Sequence, residues 1–349
     1  MSRTIILLFL TIPLSCSTQD NFWTINEIDL LDNQEISTIL ALNSDEMFIG
    51  GTNKNGKPTS QKYWSPFIKE YSNKYRKDSI VTQFDCNSIY KIYKKNSFIV
   101  LDGIGRNEVY NTHTKYLYKD DKKKWQKIKL PDPRKDFTLY EITDDKSYLC
   151  VSSINQFGLT FYKTQDGGET WIEKIINMPN KRDGFWDLLY EDGKLWGVRK
   201  KYSSISEEVS LLYIDSRNWG ISPEIDLSKN ENVVEIKYFE SNIYLLTQIG
   251  QKGFIKRVNQ EKNDLEIISE FSFLKSVNAS AFYLYKDYQI VITTDLNTFF
   301  PKLNLLYREG LTTKWQNETF PKHTNIFSFN NGCLLSVSSQ KKIYKHDFN

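Results

Sequence analysis

A tryptophan heading a short extended segment recurs along this chain at a nearly constant interval, which restricts what the chain can fold into. Trp125 precedes Trp171 by 46 residues, Trp219 follows by 48, Leu265 takes the next position after 46, and Trp315 follows by 50. Backwards from Trp125 the register falls on Lys77, 48 residues earlier, and on Trp23, 54 before that. A polar turn precedes several of these positions, as in Tyr118 to Trp125, Tyr213 to Trp219 and Arg308 to Trp315. A period of ~40–50 residues holding four short strands is that of a propeller blade. Seven registers therefore predict seven blades. An open sandwich array or a helical repeat of similar spacing is the competing reading. No segment sustains the 3.6-residue apolar period of a helix, which favours the propeller.

Three strands are expected ahead of each register residue. In blade one they read as Ile36–Leu42, Met47–Gly51 and Pro66–Tyr71, in blade three as Thr138–Ile142, Tyr148–Ser152 and Leu159–Thr164, and in blade four as Trp186–Tyr190, Lys194–Val198 and Val209–Ile214. The ends complement each other. Lys341 to Asn349 is a strand and turn with no tryptophan strand after it, and Asn21 to Ile28 is a tryptophan strand with nothing before it. The first strand would become the outermost strand of blade seven, and closing the ring removes sheet edges that would otherwise aggregate. The expectation is an all-β, seven-bladed β-propeller over 21–349, closed by pairing the N-terminal strand with the C-terminal blade. A chain of 349 residues exceeds a usual single core, but a radial repeat grows by adding blades.

The third register has the sharpest turn, Thr164-Gln165-Asp166-Gly167-Gly168-Glu169-Thr170-Trp171. A short Asp side chain accepts hydrogen bonds from backbone N–H groups just ahead of it, and Gly tolerates positive φ. The stretch predicts a β-hairpin stapled by one carboxylate. It resembles the Asp-box, or BNR repeat, Ser/Thr-x-Asp-x-Gly-x-Thr-Trp, of sialidase-like and photosystem II assembly factor-like propellers. Thr164, Asp166, Gly168, Thr170 and Trp171 stand at the motif positions. In those families the box staples the outer hairpin of a blade, away from the ligand face, so the resemblance implies a fold and not a reaction.

Residues 1–15 have the layout of a secretory signal peptide: Arg3 at the start, an apolar run from Ile5 to Leu14, and small residues before a cleavage point. The run is too short for a membrane span of ~20 residues. Leu14-Ser15-Cys16 resembles the lipobox of bacterial lipoproteins, with Pro13 departing from the usual Leu. Acylation of Cys16 would tether the propeller by a short linker over 16–20. Ordinary signal-peptidase cleavage beside Cys16 is the alternative. The expected location is an exported periplasmic or cell-surface lipoprotein, with the outer membrane favoured over the inner.

Cys86, Cys150 and Cys333 cannot pair completely and read as buried free thiols. The formal net charge of +3, +2 once Arg3 is removed, gives no field that would suggest nucleic acid. His113, His323 and His346 read as loop residues without metal-ligand spacing. No nucleophile elbow or dinucleotide loop is present. No cofactor and no metal are expected.

In a propeller, ligands usually bind the face shared by the inter-blade loops and the turns joining each blade's second and third strands. On that face the longest loop, Thr52 to Ser65, carries Tyr63 and Trp64. Arg106, Arg134, Arg182 and Arg199 fall in neighbouring loops, four of the nine arginines of the chain. Arginine forks suit carboxylates and phosphates, which makes these six residues a candidate binding face. Solvated loop charge, interleaved with Asp132, Asp136, Asp183, Glu207 and Glu208, is the competing reading. Sialidase-like enzymes use an arginine triad, a Tyr–Glu pair and an acid/base Asp, with an Arg-Ile-Pro stretch near the start. This chain has one good box, no Arg-Ile-Pro and no arginine in the first blade's inner strand. The expected function is non-catalytic: a monomeric, lipid-anchored disc that binds a protein or glycan at the cell envelope. A sialidase-like glycoside hydrolase and an immunity or inhibitor lipoprotein against a secreted toxin are the alternatives.

Overall fold

The computed structural model describes residues 24–27, 33–43, 46–54, 64–72, 76–77, 84–106, 111–119, 124–153, 158–177, 184–202, 207–273, 277–296, 302–311, 313–321, 324–338 and 342–348. They form seven four-stranded antiparallel sheets, and among the described residues there is no helix. Six sheets are consecutive. They are β2 (Gln34–Ala41), β3 (Glu46–Lys54), β4 (Trp64–Ser72) and β5 (Arg76–Lys77); β6 (Ser88–Lys95), β7 (Phe98–Arg106), β8 (Asn111–Lys119) and β9 (Lys124–Ile128); β10 (Thr138–Ile142), β11 (Tyr148–Ser153), β12 (Gly158–Thr164) and β13 (Ile172–Asn177); β14 (Gly184–Glu191), β15 (Lys194–Tyr202), β16 (Glu207–Asp215) and β17 (Ile225–Asp226); β18 (Asn232–Phe239), β19 (Asn242–Ile249), β20 (Lys252–Asn259) and β21 (Asp264–Ser272); and β22 (Val277–Tyr285), β23 (Tyr288–Asp295), β24 (Lys302–Glu309) and β25 (Gln316–Thr319). The seventh joins β26 (Thr324–Asn330), β27 (Cys333–Ser338) and β28 (Lys342–Asp347) to β1 (Thr24–Glu27). The pairing of β1 with β28 runs from Thr24 opposite Lys345 to Glu27 opposite Lys342. This is the seven-bladed propeller closed through the N-terminal strand.

The first strands of successive sheets lie against one another, β26 on β2, β2 on β6, β6 on β10, β10 on β14, β14 on β18 and β18 on β22. They are the inner strands of the ring. Each has one irregularity in its pairing with the next strand: between Ile36 and Thr38, Ile89 and Lys91, Leu139 and Glu141, Trp186 and Leu189, Val233 and Glu235, Ala279 and Ala281, and Thr324 and Ile326. A bulge inserts an unpaired residue, sharpens the twist and re-aims a side chain. Here it recurs once per blade where the sheet begins nearest the ring axis.

The apolar core is divided into seven clusters, one per seam between neighbouring blades. The recurring tryptophans serve these seams by reaching back to the preceding blade. Trp125 stands edge-on to Phe48 and Phe84, with ring centroids 6.2 Å and 5.8 Å apart. Trp171 Nε1 donates to Lys129 O at 3.0 Å. Trp219 packs 5.0 Å from Phe161, and Trp315 Nε1 donates to Glu270 O at 3.2 Å with its ring 4.9 Å from Phe271. Leu265 packs on the cluster that holds Trp196, Val198 and Ile225. The fixed interval is therefore the spacing of inter-blade wedges.

At the closing seam, Ile39, Ala41, Ile49 and Phe67 of blade one bury against Cys333, Leu335, Val337 and Ile343 of blade seven. Asn330 Nδ2 donates to Ala41 O at 3.0 Å and Leu42 O at 2.8 Å, and Ala41 N donates to Ser328 Oγ at 3.1 Å. A fully buried aliphatic side chain contributes ~1.5–3 kcal/mol, whereas a hydrogen bond nets only ~1 kcal/mol. Packing of the seam therefore dominates closure, and β1 completes it.

Four expectations need correction. Trp219 does not open a strand: it sits in a left-handed turn with φ of 62°, and the outer strand of its blade is the two-residue β17. His113 lies in β8 and His346 in β28, not in loops. Arg106 is the last residue of β7, and Arg199 lies inside β15. The strands run further than their apolar alternation because their outer ends are polar. Cys150 and Cys333 are buried at equivalent second-strand positions, whereas Cys86 is only half-buried.

Candidate binding face

Inter-blade linkers and second-to-third-strand turns share one end of the blades, as expected of antiparallel neighbours. Two of these linkers, 129–137 and 227–231, are fully described. Tyr63, Arg182 and Cys16 lie outside the described residues. Arg106 pairs with Asn111 at the end of the β7–β8 ladder. Trp64 opens β4, half-buried, with Lys54 Nζ 5.4 Å from its ring centroid and its carbonyl accepting from Asn87 Nδ2 at 3.2 Å.

The forks of Arg134 and Arg199 are both engaged by carboxylates of this chain. Arg134 grips Asp132 through Nε and Nη2, each at 2.9 Å. That fork holds the Asp132 carboxyl down at about 2. Arg199 pairs with Glu224, which also takes Lys201 Nζ at 2.6 Å and Ser210 Oγ at 2.7 Å. Burial pushes the Glu224 carboxyl up, but Lys201, Ser210 and Arg199 together outweigh it and leave it below the usual range.

Between blades four and five the same end of the blades holds a groove of about 900 Å³. Lys200, Glu208, Asp226, Lys229 and Asn232 contribute polar walls, and Val209 and Leu227 the apolar ones. Glu231 lines the groove with its side chain fully buried, 2.6 Å from Lys256 Nζ. Its carboxylate accepts from Ser228 N at 3.0 Å. The groove was missed at the level of sequence. Its one local signal is Ser228-Lys229-Asn230-Glu231, the Ser-x-x-Glu pattern in which a carboxylate caps a backbone N–H, here in a linker with no helix.

A second assembly occupies the seam of blades two and three. Tyr90 Oη donates to Asp136 Oδ1 at 3.0 Å, and the same oxygen lies 3.7 Å from His113 Nδ1 and 3.9 Å from Lys115 Nζ. Lys115, fully buried, lies 2.7 Å from Asp102 Oδ1. Burial raises the Asp102 carboxyl above its ordinary value, against the opposing pull of Lys115. These residues come from β6, β7, β8 and the following linker, and no sequence spacing connects them.

The turn from Thr164 to Trp171 is stapled by the Asp166 carboxylate. Thr170 N donates to both Asp166 oxygens at 3.0 Å, Thr170 Oγ1 donates to Oδ2 at 2.5 Å, and Thr164 Oγ1 to Oδ1 at 2.6 Å. Gly168 N donates to Thr164 Oγ1 at 3.1 Å. These donors hold the Asp166 carboxyl far below the usual carboxylate range, the Thr164 hydroxyl first among them. The box turn joins β12 to β13, and Gly167 N donates at 3.0 Å to Lys146 O of the β10–β11 turn. It thus sits at the end of blade three opposite that blade's own linker, and reaches across the seam to Lys129, where the preceding linker starts. Among the described residues, no group of three His, Cys, Asp or Glu side chains is placed to hold a metal ion.

No family model and no curated protein matches the sequence. Solved structures do share the fold. A prolyl endopeptidase aligns with a TM-score of 0.61 at 11% identity, over 90% of this chain but 48% of that one. The β-propeller domain of the Trilobed protease from Pyrococcus furiosus aligns at 0.58 and 10% identity, over 90% of this chain and 96% of that domain. That domain is described as having an open velcro topology, whereas here β1 pairs with β28. YCF48 bound to D1 peptide aligns at 0.51 and 11% identity, over 95% of this chain and 98% of that one. At these identities the likeness is one of fold.

Proposed function

We propose that this protein is an exported, membrane-tethered, non-catalytic propeller whose loop face binds a protein partner at the cell envelope. The groove between blades four and five carries the reading. Small-molecule sites are mostly apolar and aromatic, whereas this groove is lined by charges and amides with Val209 and Leu227 as its apolar residues. A charged, open groove suits a partner surface, for which complementary charge sets register and selectivity. Among the described residues its lining has no aromatic ring for a sugar to stack on, which supports a protein over a glycan. The YCF48 likeness supports the reading as a precedent for a peptide-binding propeller of this length. Tyr63, Trp64, Arg106 and Arg182 belong to the proposed face, with Arg134 and Arg199 held in place by Asp132 and Glu224. Tethering rests on the signal-like start and Cys16.

The test is a crosslinking pull-down from the native envelope, with wild type compared against Lys200→Ala/Asp226→Ala/Lys229→Ala. A partner captured by the wild type and lost by the folded variant is the expected result. Equal capture by both moves the site away from the groove. Release of a fluorogenic sialoside by the purified protein would overturn the non-catalytic reading. Cys16→Ala is expected to free the protein from the membrane fraction.

A further inference from the structure

Three side chains from β6 and β8 of blade two, the strands on either side of β7, converge on one oxygen, Asp136 Oδ1. Tyr90 Oη is in hydrogen-bond contact at 3.0 Å, but His113 Nδ1 at 3.7 Å and Lys115 Nζ at 3.9 Å stop short of it. Among the described residues His113 Nδ1 has no hydrogen-bond partner. Lys115 Nζ is paired with Asp102 Oδ1 at 2.7 Å, which takes up one side of the ammonium. An ammonium has three N–H groups to satisfy, and a buried polar group without partners is costly. The pocket thus offers more donor capacity than Asp136 uses.

The geometry explains the shortfall. His113 N donates to Pro133 O at 2.6 Å, which fixes the linker on β8. Phe137, next to Asp136, is fully buried in the seam. Asp136 thus lies between two anchored points of the linker, and its short side chain, 58% exposed, ends 3.7 Å from His113 Nδ1 and 3.9 Å from Lys115 Nζ. Tyr90 reaches them because it is the bulged residue of β6, between Ile89 and Lys91. Its ring stands edge-on to His113 at 6.4 Å.

We propose that Tyr90, His113 and Lys115 form a carboxylate-binding cradle, and that Asp136 occupies it in place of an acidic side chain of a partner protein. A carboxylate on a longer stem can enter deeper and meet all three donors, while Asp136 swings outward without moving the linker. Lys115 and Asp102 offset each other, so exchanging one carboxylate for another leaves the charge of the cradle as it is. The cradle lies apart from the groove between blades four and five. Only the source of its carboxylate, a protein, rests on the function proposed above.

The test uses acetate alone on the purified full chain, read from the ring signals of His113, one of only three histidines in the sequence. Acetate is titrated against chloride at constant ionic strength. Asp136→Ala is expected to bind acetate at His113 saturably and about 10-fold more tightly than the wild type, and Tyr90→Phe added to it is expected to weaken that binding. Asp136→Asn serves the same comparison if the alanine variant melts early. A folded Asp136 variant whose His113 signals do not respond, or respond as the wild type does, overturns the cradle. A stronger response to glucuronate than to N-acetylglutamate amide overturns the protein source of the carboxylate. Acetate binding at His113 without any captured envelope partner keeps the cradle and removes the function proposed above.

Discussion

Asp166 shows how much one carboxylate can organise when its partners are close in sequence. It gathers the hydroxyls of Thr164 and Thr170 and the amide of Thr170 within a single turn. The folded Asp166 carboxyl lies below the unfolded value of ~3.9. Its stabilisation is therefore fully present above that value and is lost as the pH falls through the folded pKa. Asp166→Asn is expected to melt below the wild type at neutral pH, with the gap narrowing from about pH 4 downward; a gap independent of pH would show that the charge does not matter. Gly168 has φ of 96°, and a Cβ there would lie 2.6 Å from Lys129 O. Gly168→Ala is expected to cost on the order of 1–3 kcal/mol in a denaturant melt. The box was legible in sequence because every partner lies within eight residues. The cradle of Tyr90, His113, Lys115 and Asp136 was not, because a bulge and three chain reversals bring its members together.

Among elements, the wedge tryptophans connect the sequence period to packing. Trp171 and Trp315 each bond a carbonyl of the preceding blade, at Lys129 and Glu270. Replacing either by Phe keeps most of the ring and removes the N–H, with an expected loss of ~1 kcal/mol. Urea unfolding of Trp171→Phe and Trp315→Phe checks this, and two unaffected midpoints would reduce the wedges to simple packing. Strand number and order were readable because each blade repeats the same apolar alternation. Strand ends were not, since β7 and β15 continue through polar residues such as Arg106 and Lys200. The inner-strand bulges were equally hidden, because an inserted residue breaks the two-residue period that reveals a strand. Trp219 kept the interval but opened no strand: a left-handed turn and a short β17 replaced the expected hairpin.

For the whole molecule, the seven seams replace a single core, and the loop face is assembled from linkers that lie far apart in the chain. That is why fold was readable and function was not: a repeat declares itself by period, whereas a site on a ring is made by closure. The groove and the cradle hold their geometry only if all seven blades form one ring. Thr24 and Lys345 are direct partners across the closing pair, and such antiparallel positions have Cβ atoms ~4.5–5.5 Å apart. Thr24→Cys/Lys345→Cys is the variant to make, with mild oxidation of the folded protein followed by a thermal melt. A disulfide that forms readily in the folded state and raises the melting temperature of the whole domain is the expected result. A folded variant that forms no disulfide, or one whose disulfide leaves the melt unchanged, would contradict the closed ring.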